Sequence, residues 1–191
     1  MLMERIVLSR EELVALRTED QIFLSERGLP PVFAMKIAAS WYSCNFLPLQ
    51  AGTMRLSDQW EWPIPPHFRD LFLLGICALE GGVTSFIGLD AATGRVDVVD
   101  YENDDVTYLY QPLAGSLASM DAVFTALSAA VREAPLTGAR LAEIVGRHEP
   151  DPVSWHDLAE DLAGDDGEIT TAGIYAADPQ RFADWSMIRR G

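Results

Sequence analysis

The chain predicts an α+β domain: a central, mainly antiparallel sheet with helices packed against it. Three observations lead there. Between Asp70 and Tyr110, runs rich in β-branched and aromatic residues are punctuated by Gly81-Gly82, Thr93-Gly94 and Asn103-Asp-Asp105. This is the composition of an antiparallel meander. Further on, Val123, Phe124, Leu127 and Val131 recur at helical spacing, which gives a helix one apolar face to lay on that sheet. Finally, 191 residues with 49% hydrophobic and 23% charged content are enough to bury a substantial core.

Taken in order, Ser9-Arg-Glu-Glu12 reads as a capping box opening a helical turn, with Leu13 and Leu16 facing inward. Ile22, Phe23 and Leu24 give the next turn an apolar face. Gly28 is a natural stop, Pro30 prevents continuation, and Leu29 is expected to tuck back against the helix it ends. From Pro31 to Leu49, Val32, Phe33, Met35, Ile37 and Trp41 fit neither period, so the segment reads as loop with strand fragments. Trp60-Glu-Trp-Pro-Ile-Pro-Pro-His-Phe68 carries three prolines, which deny it a place inside a helix or central strand. It reads as an aromatic-rich loop leading into the meander.

Within the meander, Gly94 is free to take a positive φ at the turn before Val96. After Tyr110 the sequence reads as loop until a helix begins at Ser119, its expected N-cap, with Asp121 in the first turn where the dipole favours an acid. A second helix is expected from about Thr137 to Arg147, with Leu141, Ile144 and Val145 inward. A third follows Asp151-Pro152, with Trp155, Leu158 and Leu162 on one stripe, and stops at Gly164–Gly167. A last helix, opened by Asp178-Pro179, carries Phe182, Trp185 and Ile188. With no repeat and no low-complexity linker, residues 1–191 read as one domain in which 135–191 form a helical C-terminal extension.

The charge is unusual: 14 Lys+Arg against 29 Asp+Glu give −15 and a pI near 4.4, and Lys36 is the single lysine. A field of that sign repels phosphate backbones, which argues against nucleic acid, and steers a basic protein partner inward. Asp97, Asp100, Glu102, Asp104 and Asp105 crowd one end of the meander, and nine acids against one arginine lie between Glu143 and Glu168. Cys44 and Cys77, isolated in apolar surroundings, form neither a disulfide framework nor a zinc pattern and read as buried reduced thiols. The N-terminus turns charged before any signal-length apolar run, and no stretch reaches membrane-spanning length. The expectation is a cytoplasmic protein with no membrane partner.

The spacing of the chemistry-bearing residues carries no catalytic or cofactor signature. His67, His148 and His156 share no ligand spacing that suits zinc. Asp165-Asp-Gly-Glu168 lacks the alternation and closing glutamate of a calcium loop. No dinucleotide fingerprint, phosphate loop or nucleophile elbow is present. Ser116, in Ala-Gly-Ser-Leu-Ala, lacks the elbow's second glycine and reads as a loop residue before a helix. Carboxylate pairs are too abundant for any one to mark an acid/base site. The expectation is a protein that is not an enzyme and has no cofactor or metal.

Three stretches resemble the SUKH superfamily of Smi/Knr-like bacterial immunity proteins, and most nearly its fourth family. Phe23-Leu-Ser-Glu-Arg-Gly-Leu-Pro30 is similar to its "Phe-Leu, spacer, Gly-Leu-Pro" entry. Leu74-Gly75 followed by Phe86-Ile-Gly-Leu-Asp90 and Thr93-Gly-Arg-Val96 looks like its strand, turn and "Gly-x-Val" strand. Leu113-Ala-Gly-Ser-Leu-Ala-Ser119, leading to Val123-Phe-Thr-Ala-Leu127, resembles its entry into a packing helix, with Gly115 where that pattern has asparagine. The likeness spans roughly residues 18–131, without a matching motif in 31–68. It implies the same α+β architecture and a non-catalytic activity: binding and neutralising a cognate polymorphic toxin, of nuclease or deaminase type.

Two alternatives compete with that expectation. One is a regulatory or scaffold module of the same fold with no toxin partner. The other is a small-molecule-binding or hydrolytic protein using a pocket near Trp60, Trp62 and His67. On the immunity reading, the toxin is basic and is met by Asp97, Asp100, Glu102, Asp104 and Asp105.

Overall fold

The computed structural model describes residues 5–37, 40–46, 71–79, 84–101, 108–150, 155, 158–160, 162 and 167–175. Its strands are β1 (Val32–Ile37), β2 (Ser40–Phe46), β3 (Leu71–Leu79), β4 (Thr84–Asp90), β5 (Val96–Tyr101), β6 (Tyr108–Ala114) and β7 (Ile169–Tyr175). They pair antiparallel in one curled sheet of order β6-β5-β4-β3-β2-β1-β7. The α+β expectation holds, and the predicted meander is the β3–β6 half of the sheet.

The other half lies where the sequence pattern misled. Residues 31–49, expected as loop with fragments, supply the hairpin β1–β2. Val32, Phe33, Ala34 and Met35 are all buried, so β1 is covered on both faces and the period-2 alternation that betrays a half-exposed strand is erased. Residues 135–191 are not helical throughout. Ile169-Thr-Thr-Ala-Gly-Ile-Tyr175 is a β-branched-rich strand that hydrogen-bonds to β1 along its length. β6 also runs through Pro112, past the expected end of the meander. An edge strand tolerates a residue without an N–H, and the register shifts beside it.

The N-terminal segment behaves largely as read. Glu12 reaches back to the Ser9 backbone N–H (3.1 Å) and accepts from Ser9 Oγ (2.7 Å), while Glu12 N donates to the Ser9 carbonyl. The element so opened is a short 3-10 turn, Arg10–Leu13. α1 (Thr18–Ile22) continues as a wider π-type stretch to Arg27, and Gly28, at φ 70°, ends it. Ile22, expected to face inward, is largely exposed. Leu13, Leu16, Phe23, Leu24 and Leu29 are buried.

α2 (Leu117–Ala130) starts earlier than expected: its N-cap is Ser116, whose Oγ accepts from Ser119 N at 3.0 Å. α3 (Gly138–His148) is capped by Thr137 and buries Leu141, Ile144 and Val145, as its spacing predicts. Residues 155, 158–160 and 162 are helical, with Trp155 and Leu162 buried and Leu158 packed against them. The aromatic loop at 60–68, the expected helix after Pro179, the alternative pocket near Trp60, Trp62 and His67, and His156 lie outside the described residues.

α2 lies across the curled sheet and touches both β6 and β7, strands at opposite ends of the strand order. Its Phe124 stacks on Phe33 of β1 and tilts against Phe46 of β2. Around this aromatic centre gather Phe72, Leu74, Ile87, Leu89 and Val96 from the sheet and Val123 and Leu127 from the helix. Full burial of each such side chain stabilises by about 1.5–3 kcal/mol. On the opposite face Val32 and Ala34 pack with Trp41 and Tyr175, whose rings meet edge to face.

One irregularity sets which side chains reach the helix-covered face. Between Leu73 and Gly75 the β3–β4 register shifts, so that Leu74 is an extra residue with Leu73 opposite Gly88 and Gly75 opposite Ile87. Phe72 and Leu74 point into the core before the bulge. After it, the parity is inverted and Cys77 joins them. Gly75 is needed there, because a Cβ would lie 2.2 Å from the Asn45 carbonyl oxygen.

Candidate functional site

The acidic end of the meander is the surface to which the sequence points, and the structure divides its members. Asp97 is fully buried, so it presents no charge to a partner; its place in the expected contact set is corrected. It sits opposite Gly88 of β4 and is ion-paired to Arg95, whose Nε lies 3.0 Å from its Oδ1. Burial pushes its pKa up to about 6 against the opposing charge of Arg95. Asp100 occupies a β5 position opposite Leu109. Glu102, Asp104 and Asp105 lie outside the described residues.

Beside this strand the β4–β5 turn is closed by its own side chains. Asp90 Oδ1 accepts from Ala92 N (2.8 Å) and Thr93 N (3.2 Å), bonds that outweigh partial burial and hold its carboxyl below the usual range. Gly94 takes φ 74°, and the Arg17 guanidinium lies so close that a Cβ at Gly94 would overlap it. Arg17 in turn donates to Asp20 at 2.8 Å. The turn is thus braced from α1.

Other arginines among the described residues share this pattern. Arg5 and Arg27 flank the buried Asp121 of α2 at 2.7 and 2.6 Å, Arg10 pairs with Glu26, and Arg140 and Arg147 both pair with Glu143. Together with Arg17 and Arg95, these cations are neutralised locally by carboxylates of the same chain. Seen from a distance, the excess acids dominate the field.

A second buried carboxylate works in the interior. Glu149, just past α3, accepts from Gly115 N (2.9 Å) and Ser119 Oγ (2.6 Å) at the start of α2. This ties the residue before the N-cap and a first-turn hydroxyl to α3's end, and places a carboxylate at the positive end of the α2 dipole. Trp155 Nε1 donates to the Leu113 carbonyl at 3.0 Å and fastens the following helical residues to β6. Ser116 is therefore a helix cap, and its neighbourhood serves the α2–α3 junction.

Sequence reasoning missed one juxtaposition. Cys44 and Cys77, 33 residues apart, are directly opposed on β2 and β3, with their sulfurs 3.1 Å apart. Strict alternation along β3 from Phe72 and Leu74 sends Cys77 to the other face, and only the bulge turns it back. Gly75 inside an otherwise apolar strand was the available signal.

Between α2 and α3 a shallow groove of about 250 Å³ has an Ala126, Ala129, Ala130 and Ile144 floor and a rim that includes Glu133, Arg140, Arg147 and His148. That is smaller than the roughly 300–1,000 Å³ of ordinary small-molecule pockets. Among the described residues no group of three or more His, Cys, Asp or Glu side chains is placed to hold a metal ion, and no helix is long and apolar enough to cross a membrane. Compared with known proteins, the chain matches no protein-family model, no curated protein and no solved structure.

Proposed function

We propose that the chain is a non-catalytic immunity protein that binds a basic bacterial toxin domain, of nuclease or deaminase type, and neutralises it by covering it with an acidic surface. The observation that carries this reading is the charge: −15 overall, with the arginines named above held in pairs within the chain. Enzymes that act on nucleic acid need cationic surfaces, and an acidic inhibitor competes for them. Its charge chiefly raises the association rate and the selectivity. The resemblance of residues 18–131 to the SUKH superfamily and the α+β sheet with its packed helices are in keeping with this role. Asp100, Glu102, Asp104 and Asp105 are the contact residues of the proposal. Asp97, being buried, is not among them.

The test is co-expression with toxin domains encoded beside the gene. The cognate toxin is expected to be silenced, to co-purify with the chain, and to associate more slowly as salt rises. Failure of every neighbouring domain to be silenced overturns the reading, and stable capture of an endogenous non-toxin partner favours a regulatory module instead. Charge reversal at Asp100, Glu102, Asp104 and Asp105 that leaves the association rate and its salt dependence unchanged removes only the proposed surface.

A further inference from the structure

We infer that Cys44 and Cys77 form a reversible modification site: a cross-strand dithiol that a small disulfide oxidises to an intramolecular disulfide. The inference is independent of any toxin partner. Directly opposed residues on antiparallel strands have Cα atoms about 4.5 or 5.5 Å apart, depending on the type of pair. Both values fall inside the range of about 4.4–6.8 Å that a disulfide requires. The register places Cys44 opposite Cys77, and the sulfurs already touch at 3.1 Å, so side-chain rotation closes the remaining gap with no change in strand pairing. Both residues are partly exposed, which opens the pair to a small reagent.

The pair depends on two features of β3. The extra residue at Leu74 inverts the alternation, and Gly75 lets β3 approach the Asn45 carbonyl without a clash. With Phe72 and Leu74 held in the core, Cys77 shares the face of Cys44 only because of the bulge. Ordinary hydrophobic alternation does not produce this meeting; it is built by an irregularity.

The chemistry is thiol–disulfide exchange with a low-molecular-weight disulfide RSSR. One cysteine loses its proton and its thiolate attacks RSSR, forming a mixed disulfide and expelling RS⁻, which takes up a proton. The other cysteine, likewise deprotonated, attacks the protein sulfur of that mixed disulfide and expels the second RS⁻, which is protonated in turn. The protein dithiol loses two hydrogens and two electrons, and RSSR is reduced to two RSH. The product locks β2 to β3 and closes a covalent loop over the chain between them.

The experiment is to incubate the full-length folded protein with oxidised glutathione and follow intact mass, a peptide map and thermal unfolding. The expected product is monomeric, lighter by two hydrogens, with Cys44 linked to Cys77, and dithiothreitol reverses it. Its Tm is expected to rise by on the order of 10 °C, because the cross-link restricts the unfolded chain. Cys44→Ser and Cys77→Ser should each give only the mixed glutathione adduct. Should either variant fail to fold, iodoacetamide labelling of the native wild type replaces it, with both thiols expected to be protected only after oxidation. A persistent glutathione adduct on the wild type, disulfide-linked dimers, or no reaction of the native protein overturns the assignment.

Discussion

Phe33 of β1 and Phe124 of α2 stack with ring centroids 4.0 Å apart and planes 4° from parallel. The pair joins the strand that the sequence pattern concealed to the helix it announced most clearly, and Phe46 of β2 closes on it from the side. Phe124→Ala removes both of these ring contacts at once. The expected loss is about 3–5 kcal/mol by urea unfolding, the range for deleting a buried aromatic ring. A loss below about 1 kcal/mol shows that the stack does not anchor the helix. Phe124→Leu, which keeps most of the volume, should cost less.

Asp97 makes stability depend on pH in a direction opposite to that of most carboxylates. Its folded-state pKa, about 6, exceeds the ordinary 3.8, so between those values the folded chain binds the proton that the unfolded chain has released. Its contribution is fully present below pH 3.8 and is lost as pH rises through 6. Asp97→Asn, which mimics the protonated acid, should therefore stabilise the protein at pH 7.5 by up to about 3 kcal/mol. The advantage should shrink toward zero at pH 4. Unfolding curves of both proteins across pH 4–8 check this, and a gain that is constant with pH refutes the mechanism.

The start of α2 should discriminate between two good N-caps. Ser116→Ala loses the bond to Ser119 N and should cost about 1 kcal/mol. Aspartate usually caps as well as serine, but here Ser119 Oγ already donates to the buried Glu149. A second carboxylate beside it meets like charge, so Ser116→Asp should be no more stable than Ser116→Ala at pH 7. Thermal unfolding of the three proteins measures it, and recovery of wild-type stability by aspartate rules out the role given to Glu149.

Gly75→Ala tests the bulge. The new Cβ would meet the Asn45 carbonyl at 2.2 Å, a backbone atom that cannot turn aside, so β2 and β3 must separate or lose register. Destabilisation of more than about 3 kcal/mol is expected, as for other core clashes of this severity. Amide exchange in β2 and β3 should rise first. Wild-type stability in the alanine variant means the close approach is not needed.

The sheet's β3–β6 half, the inward faces of α2 and α3, the stop at Gly28 and the net negative charge are legible in the residues alone. These are local: turn residues, capping residues and one-sided periodicity act within a few positions, and composition needs no structure at all. The rest depends on how distant segments pack together. β1 is buried on both faces, so its pattern carries no period. β7 becomes a strand because the edge of β1 offers it hydrogen bonds, and the helical elements before it return the chain to that edge. Asp97 belongs to an acidic run in sequence but lies inside the fold, since which face of β5 is covered depends on its neighbours and not on its own residues. Cys44 and Cys77 meet because one extra residue in β3 inverts its faces and because β2 pairs in one register, both long-range facts of strand pairing.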